Sequence, residues 1–500
     1  MTELAHADRL AKIEKIREAG VDPYPARGVQ AEAIDQLIAA AGSPEEPGTR
    51  VGERVTIAGR LLSLRDFGKL IFAPVIDRTG RMQVGLQMKK LEEWWEQRKW
   101  LDGGDLVAVS GELAFTKKGE VTIWADEVKL LSKAVAPPPE KFHGLADKEI
   151  RYRRRYADLW STEGVADVFR KRSMILSGIR SFLEGQGYME VETPILHPVF
   201  GGATAKPFTT HHNALGMDFF LRIAPELYLK RLIVGGFERV FEIGRNFRNE
   251  GISIRHNPEF TMLELYEAQA DYLRMMEITE QMIEGLALKV NGKTTVEFRG
   301  ANYDLKAPFQ RLSYIDLFRE HAGCEFDDEP AVRAKAKELN IKDIGDYWKM
   351  MNDVFEETVE KHLVGPVFVY DYPLQICPLA KRKPEDSRLA ERFEVFIAQM
   401  ELGNAFTELN DPAEQLERFE EQVASKDPET PGEVDIDYVQ ALEYGMPPTG
   451  GLGIGIDRLV MVLTSQDSIR DVLLFPAMRP IRDEQEVDEG QEEPQAVENS

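Results

Sequence analysis

The sequence is poor in cysteine, in long apolar runs and in net positive charge, and each shortage excludes something. Two cysteines, Cys324 and Cys377, stand far apart in 500 residues. That excludes a disulfide-stapled scaffold, argues against a structural zinc site and fits a reducing, cytoplasmic setting. No apolar run approaches the roughly 20 residues that span a bilayer, so no membrane partner is expected. The opening MTELAHADRLAKIEKIREAG alternates charged and apolar residues, unlike a secretory leader. The formal net charge is −24, which speaks against a surface that grips nucleic acid everywhere. Part of that charge is local: Asp483, Glu484, Glu486, Asp488, Glu489, Glu492, Glu493 and Glu498 lie in a tail without lysine or arginine. Nucleic-acid binding depends on where positive charge sits rather than on its sum. The basic clusters Lys117-Lys118, Arg151 to Arg155 and Lys381 to Lys383 read first as solvated faces.

What is present describes an ordinary globular protein, 43% hydrophobic and 30% charged, long enough for two or three domains. An amphipathic helix is expected over residues 2–20, with Leu10, Ile13 and Ile16 on one stripe, and a second near 31–41. Together with a Pro/Gly linker they make an N-terminal arm, residues 1–50. Residues 51–134 change texture to five short β-segments with glycine punctuation and one helix over 91–99, the pattern of an OB-type barrel. Pro74 interrupts one of these segments, and a register irregularity is expected there. Residues 135–142, with Pro137-Pro138-Pro139, form a stiff linker. An α+β domain follows over 143–482, and the acidic stretch 483–500 reads as disordered.

The most informative stretch is Phe237 to Ala268, which reads as strand, loop, strand. Phe237, Phe241, Ile243 and Phe247 share one parity, expected to be buried; Glu238, Glu242, Asn246 and Arg248 share the other, expected to be wet. In the second half, Leu263 and Leu265 oppose Phe260, Glu264 and Tyr266. An arginine, an aromatic plate, a carboxylate and a phenol thus converge on one face. That is more ligand chemistry than a solvated hairpin needs.

The run FRNEGISIRHNPEFTMLELY resembles motif 2 of the class II aminoacyl-tRNA synthetases, in the wording of the lysyl branch. SFLEGQGYMEVETPIL (181–196) resembles motif 1 and GGLGIGIDRLVMVL (450–463) resembles motif 3, in the family's order. The resemblance implies an OB-fold anticodon domain joined to an antiparallel sheet flanked by helices. It also implies a homodimer through the motif 1 helix (172–185), with Pro194 near the partner's site; a buried intrachain helix is the alternative. The implied substrates are ATP, L-lysine and tRNA(Lys), with Mg2+ bound beside the ATP.

Residue by residue, Arg248 and Arg458 become the catalytic cations. Guanidinium forks donate bidentately to phosphate and carboxylate, and activation joins two such anions. Phe260 is placed against adenine, and Glu250, Arg255, His256 and Asn257 on the nucleotide loop. The motif 3 glycines, Gly455 among them, allow a strand close to the nucleotide. Glu394 and Glu401 are the implied metal pair. A cationic side chain is costly to desolvate unless carboxylates receive it. Glu408 and Tyr266 are therefore assigned to the ε-ammonium and Glu226 and Glu264 to the α-amino group, with Gly202, Asn404 and Phe406 shaping the pocket. No cation is expected at the pocket's end, where an aspartyl enzyme would need one. Arg65, Phe72 and Gln83, with Glu120 as a lesser candidate, are the implied anticodon readers; Phe72 as core and Gln83 as surface is the alternative. His211-His212 read as structural rather than metal-binding. A protein-lysylating paralogue, which should lack the barrel, and a non-enzymatic RNA-binding protein are the other rivals.

Overall fold

The computed structural model describes residues 2–43, 49–139, 145, 147–342, 345–425 and 429–480. The expected acidic tail and parts of both expected linkers lie outside these residues. The chain divides into two compact units, Met1–Arg151 with Tyr156–Glu163, and Tyr152–Arg155 with Gly164–Ser500.

In the first unit, β1 (Arg50–Leu61), β2 (Arg65–Asp66), β3 (Leu70–Ile76), β4 (Arg81–Gln87), β5 (Leu106–Phe115) and β6 (Val121–Ser132) form one sheet in the order β1-β5-β6-β4-β3-β2. β1 also pairs with β3 through Leu61 and Val75, which closes the sheet into a barrel around Ile57, Val75, Val84 and Ile123. Pro74 causes no irregularity. Pairing runs unbroken through Ala73↔Val84, Pro74↔Gln83 and Val75↔Met82. The proline sits where the neighbour of β3 changes from β2 to β1, so the missing N–H breaks no ladder bond. The helix expected over 91–99 is instead a 3₁₀ turn, Trp95–Trp100, anchored by the buried Trp95. Arg98 stacks on that indole and donates to the Trp95 carbonyl, which favours the tighter coil.

The N-terminal helices span Thr2–Glu18 and Ile34–Ala41. Ile13 and Ile16 are buried as expected, but Leu10 is exposed. Polar docking does that part of the work. Arg9 donates to the carbonyls of Gly103, Ala134 and Ala136, and Lys12 pairs with Asp102 at 2.7 Å.

The second unit holds an eight-stranded sheet in the order Gln310–Ser313, Val367–Pro373, Leu389–Ile397, Met400–Thr407, Thr449–Gly455, Glu259–Ala268, Arg239–Phe247, Met189–Glu190. Its six central strands are antiparallel. Helices Val165–Gly185, Tyr272–Asn291 and Ile456–Thr464 cover one face, where Phe241, Leu263 and Leu265 meet Ile179, Met282 and Leu459. The motif 1 helix therefore starts well before residue 172, and Ile175, Ile179 and Leu183 are core of this chain. The strand after it ends at Glu190, leaving Pro194 exposed in extended chain. RYRRR is not simply a solvated face: Arg155 is buried and donates to the carbonyls of Arg470, Leu473 and Leu474.

The opposite face of the sheet departs from expectation. It is not wet. Glu242, Asn246, Glu264 and Tyr266 are all buried, because segments distant in sequence cover them. Arg222 and Thr193 both bond Glu242, and the Glu226–Val234 helix packs over Tyr266. Phe237, ahead of the strand, is exposed instead of buried.

Candidate active site

That buried polar face floors a cavity of about 460 Å³ whose two ends differ in charge. At one end stand Arg248, Glu250, Arg255, His256, Asn257, Phe260, Glu401, Gly455 and Arg458; all of them line it. Arg248 follows the Arg239–Phe247 strand, and its amide is held by the Pro258 carbonyl at 2.9 Å, which pinches the loop shut. Its guanidinium lies 5.1 Å from the Phe260 ring centroid, and its Nε is buried without a hydrogen-bond partner. Arg458, on the first turn of the Ile456–Thr464 helix, donates to the Glu401 carbonyl at 2.7 Å and to His256 Nε2 at 3.0 Å. Burial, with Arg458 beside it, holds the His256 imidazole below its usual range, so it is neutral and can accept that bond. Asn257 donates to the Glu259 carbonyl and receives the Ala477 amide.

The other end is anionic. Gly202, Glu226, Glu264, Tyr266, Asn404, Phe406 and Glu408 line it. Gly202 has φ +87°, and a Cβ there would stand 3.0 Å from that of Glu226, so only glycine fits. The Tyr266 hydroxyl donates to Glu264 Oε2 at 3.3 Å. Burial, then the nearby Glu226, pushes Glu264 up to about 8. One motif 3 glycine serves this end: a Cβ at Gly451 would collide with Glu408 Oε1 and the Tyr266 ring. Glu408 is buried just past the Met400–Thr407 strand. Behind the lining of this end stands a cation that the sequence reading did not name. Lys230, fully buried, pairs with both Glu226 and Glu408.

Of the expected metal pair, Glu401 lines the arginine end and faces Arg458, while Glu394 is not part of the cavity lining and receives Arg392 at 2.6 Å and the Tyr372 hydroxyl at 2.8 Å. Glu356 and Glu360 stand nearby, each pushed up to about 7 by burial and by the surrounding carboxylates. Arg392 also donates to Asn404, tying the carboxylate patch to the anionic end. It lies two residues from Glu394 on one strand face, a signal that the sequence carried. Arg172 links the three motifs: it donates to Asp457 at 2.6 Å and to Thr261 at 3.0 Å, and Asp457 takes the Thr261 amide at 2.8 Å. His211 and His212 are exposed, and His211 pairs with Asp218.

On the barrel, Arg65, Phe72, Gly85 and Trp124 fall in register across four strands. Phe72 is half-buried and meets Trp124 and the exposed Phe67 edge-on, at 5.8 and 6.3 Å between centroids. Gln83 Nε2 donates to Thr122 at 3.0 Å. Glu120 is exposed at the β5–β6 turn. Phe67 and Trp124 are the two aromatics that the sequence reading missed.

A site of this composition on this sheet defines a class. Residues 147–479 match the family model described as tRNA synthetases class II (D, K and N), and residues 55–131 match the OB-fold nucleic acid binding domain. The chain belongs to the class II tRNA synthetase family. Its curated relatives are more particular. A protein of Magnetococcus marinus is 48% identical over 95% of this chain and 96% of its own length, and one of Pelotomaculum thermopropionicum is 48% identical over 94% of each. One of Dehalococcoides mccartyi is 47% identical over 97% and 99%. Each is named lysine–tRNA ligase.

Proposed function

We propose that this chain is a lysine–tRNA ligase. It activates L-lysine with ATP and transfers the lysyl group to the 3′ end of tRNA(Lys). The observation that carries this reading is one cavity with arginines at one end and buried carboxylates at the other. An oxygen of the lysine carboxylate attacks the α-phosphorus of ATP; the bond to the β-phosphate oxygen breaks and pyrophosphate leaves. The terminal ribose hydroxyl of the tRNA then attacks the carbonyl carbon of the adenylate, and AMP departs.

Neither step needs a side-chain nucleophile, so positioning and charge stabilisation supply the catalysis. Arg248, with its unsatisfied Nε and the Phe260 ring beneath it, bridges the carboxylate and the α-phosphate. Arg458, steadied by His256 and Glu401, holds the outer phosphates. Glu250, Arg255 and Asn257 shape the nucleotide loop. Glu408 and Tyr266 receive the ε-ammonium, Glu226 and Glu264 the α-amino group, and Asn404 and Phe406 line the channel between.

Magnesium fits the carboxylate patch. Glu394 and Glu401 lie among further carboxylates, Glu356 and Glu360, each pushed up to about 7 by burial and by that crowding of negative charge. Such an ion takes one or two carboxylates plus phosphate oxygens, and Glu394 and Glu401 would supply them. When bound it screens phosphate charge.

Arg65, Phe72, Gln83 and Glu120 read the anticodon, with a base stacked on Phe72. The free thiols of Cys324 and Cys377 fit work in the cytoplasm. The exposed Met174, Met189, Ile195 and Leu196 along motif 1 favour a homodimer in which Pro194 approaches the partner. The test is lysine-dependent exchange of pyrophosphate into ATP, then charging of tRNA with a UUU anticodon. Exchange with aspartate and not with lysine would overturn the reading.

A further inference from the structure

Behind the anionic end of the cavity lies a charge with no part in the activation chemistry. Lys230 sits one turn after Glu226 on the Glu226–Val234 helix, and its side chain is fully buried. Its ammonium lies 2.5 Å from Glu226 Oε1, is ion-paired with Glu408 Oε2 and stands 5.4 Å from the Phe406 ring centroid. Glu226, Glu408 and Phe406 line the cavity; Lys230 stands behind them. A glutamate and a lysine one turn apart usually form a surface pair of little consequence. Here both are out of water, and a buried ammonium persists only where carboxylates surround it.

The charges have a simple arithmetic. Three carboxylates, Glu226, Glu264 and Glu408, share this end with one internal ammonium. A free lysine brings two further ammonium groups, and only then does each carboxylate have a cation. The substrate's own carboxylate is left to Arg248. Neither Glu408 oxygen has a hydrogen-bond partner; Oε2 is ion-paired with Lys230, while Oε1 lies against Gly451, at the cavity wall.

We infer that Lys230 is a positioning residue for substrate selection: it draws Glu226 and Glu408 side by side behind the cavity wall, leaving Glu408 Oε1 open to an amino acid that carries two cations. This rests on lysine being the substrate. The other charged or titratable groups facing the pair are Glu264 and Tyr266 from the Glu259–Ala268 strand, Arg392 from Leu389–Ile397 and Tyr438 from the Ile436–Glu443 helix, with Arg231 beside Tyr438. Burial pushes Glu408 up, and Lys230 opposes that push. Removing the ammonium moves protonation of the pair to higher pH.

The experiment is lysine-dependent pyrophosphate exchange by the full-length enzyme and by Lys230→Met, followed across pH. The variant raises the KM for lysine by about tenfold or more while the KM for ATP stays within about twofold. The acidic limb of kcat/KM for lysine moves up by about one pH unit or more. The melting transition and ATP binding report whether the variant is folded. If it is not, Lys230→Met/Glu226→Gln, which leaves less unpaired charge buried, carries the same pH readout through Glu408. An unmoved acidic limb in a folded variant, or equal rises in both KM values, overturns the inference. A wild-type enzyme that shows no exchange with lysine defeats the proposed function instead, so the two failures are distinguishable.

Discussion

The two ends of the cavity solve opposite problems with opposite degrees of enclosure. At the nucleotide end Arg248 and Arg458 keep part of their surface exposed, although the Arg248 Nε is buried; they stand on a loop edge and on a first helical turn. At the amino-acid end Glu226, Glu264 and Glu408 are each less than 10% exposed. A triphosphate is large, hydrated and strongly charged, so a few guanidinium forks suffice and enclosure adds little. An ammonium on a flexible chain is a point charge with no shape to read. Selecting it requires acceptors from which water is excluded, and those acceptors are unstable alone. Both ends draw on elements far apart in the chain: the nucleotide end adds the Arg458 helix to the motif 2 strands and loop. At the amino-acid end the distant helix, Glu226–Val234, and the residue just past the Met400–Thr407 strand, Glu408, serve to bury and balance charge.

Four changes sharpen or break that contrast. Arg248→Ala removes the group bridging both anions and should depress pyrophosphate exchange by about 10³-fold, more in kcat than in either KM. Steady-state exchange rates check it; a change confined to the KM for ATP would reduce Arg248 to a simple anchor. Glu408→Gln, at the sealed end, should raise the KM for lysine by about 10²-fold and leave ATP binding intact. If lysine affinity survives, Glu408 does not receive the ammonium. Phe72→Ala, on the barrel, should lower tRNA charging by about tenfold without altering exchange. Equal loss in both assays would refute the division of labour between the units.

The smallest effect concerns a proton. Glu264 is pushed up to about 8, so near neutral pH it is mostly protonated in the free enzyme. An arriving ammonium favours the ionised form, so lysine binding should release up to about one proton below pH 8. The release should fade above pH 8, where the carboxyl is already ionised, and again at acid pH, where Glu264 stays protonated with lysine bound; it should be smaller in Glu264→Gln. Calorimetry in two buffers of different ionisation heat measures it.

Much of this was legible in the sequence. The barrel, the three motifs and the parity of Leu263 and Leu265 against Glu264 and Tyr266 follow from local pattern. The burial of that polar face does not, because Arg222, Thr193 and the 226–234 helix cover it from elsewhere in the chain. Lys230 was written one turn from Glu226, yet an i,i+4 pair reads as a surface feature until Glu408 is seen beside it. The 3₁₀ turn at Trp95 escaped for a related reason, since apolar residues over 91–99 suit an α-helix until the indole fixes the coil. Leu10 misled because polar contacts, not the apolar stripe alone, dock its helix.

The Arg172–Asp457 pair joins positions 285 residues apart. A ribosome must therefore make all the chain between them before that guanidinium can meet its partner. Until then Thr261, beside Phe260, lacks the carboxylate that holds its amide, and the helix bearing Arg458 has not been synthesised. A nascent chain carries its first two motifs without a finished nucleotide wall, and the wall is completed late in translation.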